Sequence, residues 1–329
     1  MQSAFWAPLT AFAAALLAVW WLARSRFSSL ILDRPNSRSL HEAPVPRTGG
    51  LGLHAGALLA IAIIAPRLPA ALWIAFAALL LISFFDDVRG IPALWRLVLH
   101  LAVCAWFAAA ALAGGNDLLV TAAATLAIAW MANLYNFMDG SDGLASGMAL
   151  SGFFFYGMAA WLAGNTEFAL VNFSIAAAAA AFLVFNFHPA RIFLGDAGAV
   201  PLGFLAAALG LFGWLQRDWT WWFPVLVFSP FIVDASVTLA RRLLRRERVW
   251  QAHRDHYYQR LVRLGWGHRS TALAEYALMF ACGALALAAL SLPAAMQAAT
   301  LAAMALVYLV LITLIERSWR RFKPVNGQS

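Results

Sequence analysis

Eleven apolar runs, separated by short polar breaks, order the whole chain: about residues 4–23, 49–65, 69–85, 94–113, 118–132, 144–163, 167–185, 199–215, 220–239, 271–292 and 295–315. Most approach the roughly 20 residues that carry an α-helix across hydrocarbon; the second, third and fifth are shorter. The runs are continuous rather than alternating, which argues against a transmembrane β-barrel, where lipid-facing and inward residues take turns. The pattern predicts an all-α, polytopic integral membrane protein with about eleven transmembrane helices. No Pro/Ser-rich linker, repeat or soluble-sized insert interrupts it, so residues 1–329 read as one membrane-embedded domain.

Composition agrees: with 63% hydrophobic residues, 12% charged residues and a mean hydropathy of +0.76, the chain is too apolar for a soluble fold. Charge then orients it. Laying the runs alternately across a bilayer puts 21 of the 23 Lys and Arg on one face, with only Arg67 and Arg217 opposite, and the positive-inside rule makes that face cytoplasmic. The first run has no basic residue before it and Arg24 and Arg26 after it, the reverse of a signal peptide, so it reads as a retained helix with a periplasmic N-terminus. The C-terminus then falls in the cytoplasm, with cytoplasmic loops at 24–48, 86–93, 133–143, 186–198 and 240–270. A pI near 10.3, arising from arginines beside spans, points to anionic lipid headgroups and a phosphorylated substrate rather than nucleic acid. Cys104 and Cys282 lie inside runs, far from any CxxC spacing, and suggest neither a disulfide nor a zinc site.

Polar residues at the inner helix ends carry the candidate chemistry, because uncompensated polarity in a membrane is costly. Asp86 and Asp87 close the third run, where the helix dipole is already negative, so a cation is expected beside them. A solvated turn with Arg89 pairing locally is the bland alternative. Asn133, Asn136, Asp139 and Asp142 recur every three residues and would share one helical face, fit for a hard cation or a phosphate-bound water, before Gly140 and Gly143 break the helix. Asp142 and Asp196 each precede an apolar run, the place of an N-cap. Gly195 and Gly198 flank Asp196, and a carboxylate at a phosphate-attracting helix N-terminus calls for a divalent cation between the two anions. Arg96, one turn before His100, suits a salt bridge or a phosphate equally. His253, Arg254 and His256 stand in the most basic loop, where no third zinc ligand is evident and an anionic substrate fits better. Asp234 and Glu275, inside the ninth and tenth runs, are placed to pair with a loop arginine and are given no catalytic role.

Taken together, Pro44-Val-Pro-Arg-Thr-Gly-Gly50, Asp86-Asp87, Asn133 to Gly143, Asn186 to Gly198 and His253 to His256 resemble, in order and in loop position, the motifs of the polyprenyl-phosphate N-acetylhexosamine-1-phosphate transferases of glycosyltransferase family 4. The resemblance covers about residues 33 to 270. It implies a bundle of ten or eleven helices that moves a sugar 1-phosphate from a UDP-N-acetylhexosamine to undecaprenyl phosphate, releasing UMP, with Mg2+ or in its place Mn2+ as cofactor. By the same resemblance Asp196 is the principal metal ligand with Asn136 beside it, and Asp86 and Asp87 are the catalytic pair near the lipid phosphate. Arg47, Arg96, Asn133, Asp139, Asp142, Asn186, Phe193, His253, Arg254 and His256 are the implied substrate contacts. The sequence departs from the pattern at Asp255, where many members carry histidine, and at Ala199, where serine is common.

The motif variants look more like O-antigen-type members than the muramoyl-pentapeptide enzyme, implying the first step of lipid-linked surface-polysaccharide synthesis at a bacterial inner membrane. GlcNAc, GalNAc, QuiNAc and FucNAc all remain open as the sugar. Direct attack and a covalent enzyme intermediate remain open as well, and a homodimer is compatible with the sequence. Two rival classes fit less well: a transporter would hold its carboxylates near the midplane, and a non-catalytic lipid-binding protein leaves the Asn/Asp face unexplained.

Overall fold

The computed structural model describes residues 2–28, 31–33, 44–114, 117–248 and 253–322. Parts of the expected loops at 24–48 and 240–270, residues 115–116 of an outer loop, and Lys323 in the C-terminal basic cluster lie outside the described residues.

Every apolar run becomes helix: α1 (Ala7–Arg24), α2 (Gly49–Ile64), α3 (Ala70–Arg89), α4 (Ala93–Ala111), α5 (Leu118–Phe137), α6 (Leu144–Leu162), α7 (Thr166–Asn186), α8 (Asp196–Leu215), α9 (Trp222–Val227), α10 (Ser229–Leu244), α11 (Tyr257–Leu261), α12 (Gly267–Ala289) and α13 (Ala294–Arg321). Among the described residues nine helical stretches are long and apolar enough to cross a membrane, one of them running from Tyr257 to Ala289. The remaining two of the eleven expected spans differ. α2 has only 16 residues, and the run at 220–239 is divided into α9 and α10 at Phe228. Pro230, at the start of α10, explains the division: it has no amide hydrogen to continue the ladder, and its ring crowds the carbonyl four residues earlier. Several helices also outrun their apolar stretch. α3 continues through Asp86 and Asp87, α5 through Asn133 and Asn136, and α8 begins at Asp196. Backbone hydrogen bonding carries the helix past the point where hydropathy ends.

α8 is the central helix, largely buried, packed between α3 and α5 and touching α2 and α6. α1 lies on α2 and α7, α6 lies on α7, and α13 is peripheral and largely exposed. α2 crosses α8 backbone to backbone: a Cβ on Gly50 would come within 2.2 Å of the Gly198 Cα. A glycine at each partner allows that approach.

A two-residue ladder, β1 (Leu32–Asp33) antiparallel to β2 (Val45–Pro46), lies beside the bundle. From Pro46, at the end of β2, onward the chain fastens the loop after α7: Phe193 N donates to Pro46 O at 2.7 Å, Gly49 N to Phe193 O at 3.0 Å, and Gly50 N to Leu194 O at 2.9 Å. These bonds fix Gly195 and the start of α8.

Candidate functional site

The ends of α3, α5 and α10 and the starts of α4 and α8 meet at an open cavity of about 1090 Å³. Its lining includes Arg47, Asp86, Arg96, Asn133, Asn136, Asp139, Asp142, Asn186, Phe193, Asp196, His253 and His256. Residues spread over more than 200 positions in sequence are thus brought to one place. Two of the residues picked out from the sequence are not in the lining, Asp87 and Arg254.

Asp86 and Asp87 are both buried in the last turn of α3. Neighbours on a helix point about 100° apart, so the pair divides its work. Asp86 accepts the Ile91 amide at 2.6 Å and Arg96 Nη1 at 2.7 Å. Asp87 accepts the amides of Asp196 at 3.2 Å and Ala197 at 2.9 Å, so it caps α8 from another helix. Arg47 Nε stands 3.5 Å from Asp87 Oδ1, while its Nη2 donates to the Asp87 carbonyl at 2.6 Å. The cations beside the pair are therefore Arg96 and Arg47. Arg89, the local partner of the bland alternative, is exposed at the helix end.

Asp196 is the first helical residue of α8 and does not cap it; the N-cap is Gly195, with no side-chain bond. Gly195 has φ +74°, and a Cβ there would meet Arg47 O at 2.2 Å. With capping done by Asp87, the Asp196 carboxylate turns to the cavity, where Arg96 Nη1 lies 3.2 Å away. Arg96 thus bridges Asp86 and Asp196, which realises the salt-bridge reading of that residue.

The Asn/Asp motif does not form one helical face. α5 ends at Phe137, leaving Asp139 and Asp142 in the loop that follows. Asn133 is occupied by Ala129 O at 2.7 Å and His100 Nδ1 at 3.2 Å. Among the described residues, the side chains of Asn136 and Asp139 make no hydrogen bond. The expected cap by Asp142 is also absent: Gly143, with φ +76°, is the N-cap of α6. Asp142 Oδ2 instead faces His188 Nδ1 at 2.6 Å and accepts the Ala190 amide at 3.2 Å. Buried Asn186 accepts Gly143 N at 3.1 Å and Ser146 Oγ at 2.9 Å and donates to Ile192 O at 3.0 Å, stitching the two loops together.

Buried Asp234 accepts His256 Nδ1 at 3.1 Å and the amides of Tyr257 at 3.0 Å and Tyr258 at 2.9 Å. It pairs with a histidine and a helix start rather than with a loop arginine, because the chain returning at 256–258 offers three donors together. Glu275 forms no ion pair among the described residues. His253 stacks on His256 with ring centroids 4.9 Å apart.

Charge in the cavity is lopsided. Burial, followed by the carboxylates of Asp196, Asp87, Asp33 and Asp142, pushes Asp139 well above the usual carboxylate range. Burial together with His256 and Arg242 draws His253 down to about 4, leaving it neutral at pH 7. Two arginines offset only part of the negative charge, and the unengaged donors, Asn136 and Asp139, are hard oxygens. That donor set fits Mg2+. Sequence reasoning missed Asp33, Ser141, Tyr258 and His268 in the lining. Asp33 and His268 fell at the margins of the resembling stretch with no motif of their own, and Tyr258 read as part of a basic loop.

The glycosyl transferase family 4 model matches residues 69–213. The probable undecaprenyl-phosphate N-acetylglucosaminyl 1-phosphate transferase of Bacillus subtilis is 26% identical over 76% of this chain and 74% of its own length. The decaprenyl-phosphate N-acetylglucosaminephosphotransferase of Mycolicibacterium smegmatis is 29% identical over 74% of this chain and 71% of its own. The undecaprenyl-phosphate alpha-N-acetylglucosaminyl 1-phosphate transferase of Escherichia coli O157:H7 is 26% identical over 73% and 71%. Together these matches support, for this multi-pass membrane protein, the polyprenyl-phosphate N-acetylhexosamine-1-phosphate transferase family that its motifs resemble.

Proposed function

We propose that the protein transfers an N-acetylhexosamine 1-phosphate from a UDP-sugar to undecaprenyl phosphate, releasing UMP, at the cytoplasmic face of a bacterial inner membrane. The observation that carries this reading is the mixed lining of the cavity. It joins the carboxylates, Arg47 and Arg96 with the apolar Leu97, Leu101, Leu126, Ala129, Trp130 and Leu239. A polyprenyl phosphate needs both at once, since its chain stays in hydrocarbon while its headgroup meets a soluble nucleotide.

In the direct route, one of the two the sequence leaves open, an oxygen of the lipid phosphate attacks the β-phosphorus of the UDP-sugar. The new O–P bond forms as the bond from that phosphorus to the bridging oxygen breaks, and UMP leaves with the electron pair. Several anions converge, so positioning and charge neutralisation supply most of the catalysis. Asp196 and Asn136, with Asp139 close by, would hold Mg2+ or Mn2+, which when bound neutralises phosphate charge. Arg96, kept in place by Asp86, offers a guanidinium edge to the phosphates, and neutral His253 offers a hydrogen bond rather than a charge. The O-antigen class of surface polysaccharide remains the pathway suggested by the motif variants.

The test is purified protein with undecaprenyl phosphate, Mg2+ and a panel of UDP-N-acetyl sugars. UMP and a lipid-linked sugar are expected with at least one donor. A folded, monodisperse preparation that yields neither with any donor would remove the reading.

A further inference from the structure

We infer that Asp142, His188 and His268 form a second cation site, suited to Zn2+ rather than Mg2+, at the edge of the cavity. Their ligand atoms lie within 4.8 Å of one another, although the residues come from three separate segments. Asp142 follows α5, His188 follows α7, and His268 opens α12. His188 Nδ1 is 2.6 Å from Asp142 Oδ2, and His268 Nδ1 is 4.0 Å from Asp142 Oδ1. The two imidazoles lie parallel, 6° between planes and 5.3 Å between centroids, with both Nδ1 atoms turned to the one carboxylate.

One histidine suits ligation as it stands, and the other gives up a proton: His188 Nδ1, 2.6 Å from a carboxylate oxygen, holds its hydrogen toward Asp142 and releases it when a metal binds. The Asp142 amide points at His268 Nδ1 from 3.4 Å and Ser141 Oγ from 2.9 Å. An amide can only donate, so the His268 Nδ1 facing the cluster carries a lone pair. Two imidazole nitrogens and one carboxylate oxygen are a common zinc set with a fourth position left for water, whereas Mg2+ prefers oxygen throughout. Tetrahedral ligands held about 2.0–2.1 Å from zinc stand roughly 3.3 Å apart. The His188 contact must therefore open slightly and the His268 contact close. The His188 side chain is 40% exposed and has room to do so.

A zinc ion here would cross-link two loops and the start of α12 beside the cavity and occupy the Asp142 carboxylate. If the proposed transfer reaction holds, zinc inhibits it by competing for that carboxylate; zinc binding itself does not depend on that reading. The experiment is a zinc titration of the chelator-treated full chain in detergent, against a fluorescent zinc chelator, with millimolar Mg2+ present. One zinc per chain is expected, weakened at least about tenfold in His188→Gln and in His268→Gln. Melting without zinc serves as the folding control, and the partly exposed His188 carries the test if the His268 variant melts early. Unchanged zinc affinity in a folded His188→Gln protein overturns the site. So does loss of zinc binding in Asp196→Asn alone, which would place the ion among the oxygen ligands. In the transfer assay, zinc should inhibit wild type at concentrations that fill the site, and both variants should need about tenfold more. If no donor supports transfer, the titration still decides the site.

Discussion

Asp87 accepts the backbone N–H of Ala197 at 2.9 Å and so caps α8 from the end of α3. Two neighbouring carboxylates that look alike in sequence therefore differ in duty. Asp86 holds the guanidinium of Arg96, and Asp87 holds the helix that carries Asp196.

Asp87→Ala should lower the melting temperature in detergent, because losing an N-cap costs about 1–2 kcal/mol and Arg47 loses its carboxylate partner. Asp87→Asn keeps an oxygen for the α8 amides and should recover much of that loss. A melting temperature unchanged by alanine would show that the cap does not hold α8.

Arg96→Ala should shift activity and metal dependence in opposite directions. Its Nη1 lies 2.7 Å from Asp86 and 3.2 Å from Asp196, so its removal leaves a more negative pocket that binds a divalent cation several-fold more tightly. Turnover should fall about 10²-fold with the loss of a phosphate donor. Mg2+ titrations of the transfer reaction read both effects, and a higher Mg2+ requirement would contradict the charge argument. Arg96→Lys should fall between, since an ammonium cannot present the same planar edge to two carboxylates.

Much of the bundle was legible because membrane spans are written locally, as apolar length. The division at Phe228 was also written locally, in Pro230, but the apolar run masked it. What sequence could not display were the pairings across distance: Arg47 with Asp87, Arg96 with Asp196, Asp234 with the amides at 257 and 258. Local position offered Asp142 and Asp196 a capping role on the helices they precede, as the bland alternative to function. The glycines at 143 and 195, with positive φ, took those positions and released both carboxylates. The regular spacing from Asn133 to Asp142 suggested a helical face, yet the last two acids serve the cavity from a loop, which a three-residue spacing alone does not reveal.

Asp196→Asn should abolish transfer while membrane insertion and monodispersity survive. The substitution keeps volume and an oxygen but removes the charge aimed into the cavity. Near-normal turnover at saturating Mg2+ would remove Asp196 from the metal site.

His253 should mark the acid limb of stability. Its folded value of about 4 lies below the ordinary 6.5, so the native protein binds this proton more weakly than the unfolded chain. The resulting stability is complete above about 6.5 and drains away as pH falls toward 4. His253→Gln should flatten the decline in melting temperature across that window, and an unaltered slope would show that the residue takes up its proton freely in the fold.

Asn186→Ala tests whether the two cavity loops depend on one carboxamide. The side chain serves Gly143 N, Ser146 Oγ and Ile192 O, all in a buried setting, and alanine leaves three groups without that partner. An unsatisfied buried group costs about 1–3 kcal/mol, and shared relaxation brings the total to roughly 2–4 kcal/mol. Asn186→Asp keeps the acceptor oxygens for Gly143 and Ser146 but turns a second carboxylate oxygen on the Ile192 carbonyl, so it should recover only part of the stability. Ser146→Ala alone removes one donor and should cost less. In the double variant, the serine change should cost less than it does alone, because its bond to Asn186 is already gone and only its 3.1 Å bond to Gly143 O is left to break. Simple additivity of the two losses would show that Asn186 and Ser146 do not act through their shared 2.9 Å bond.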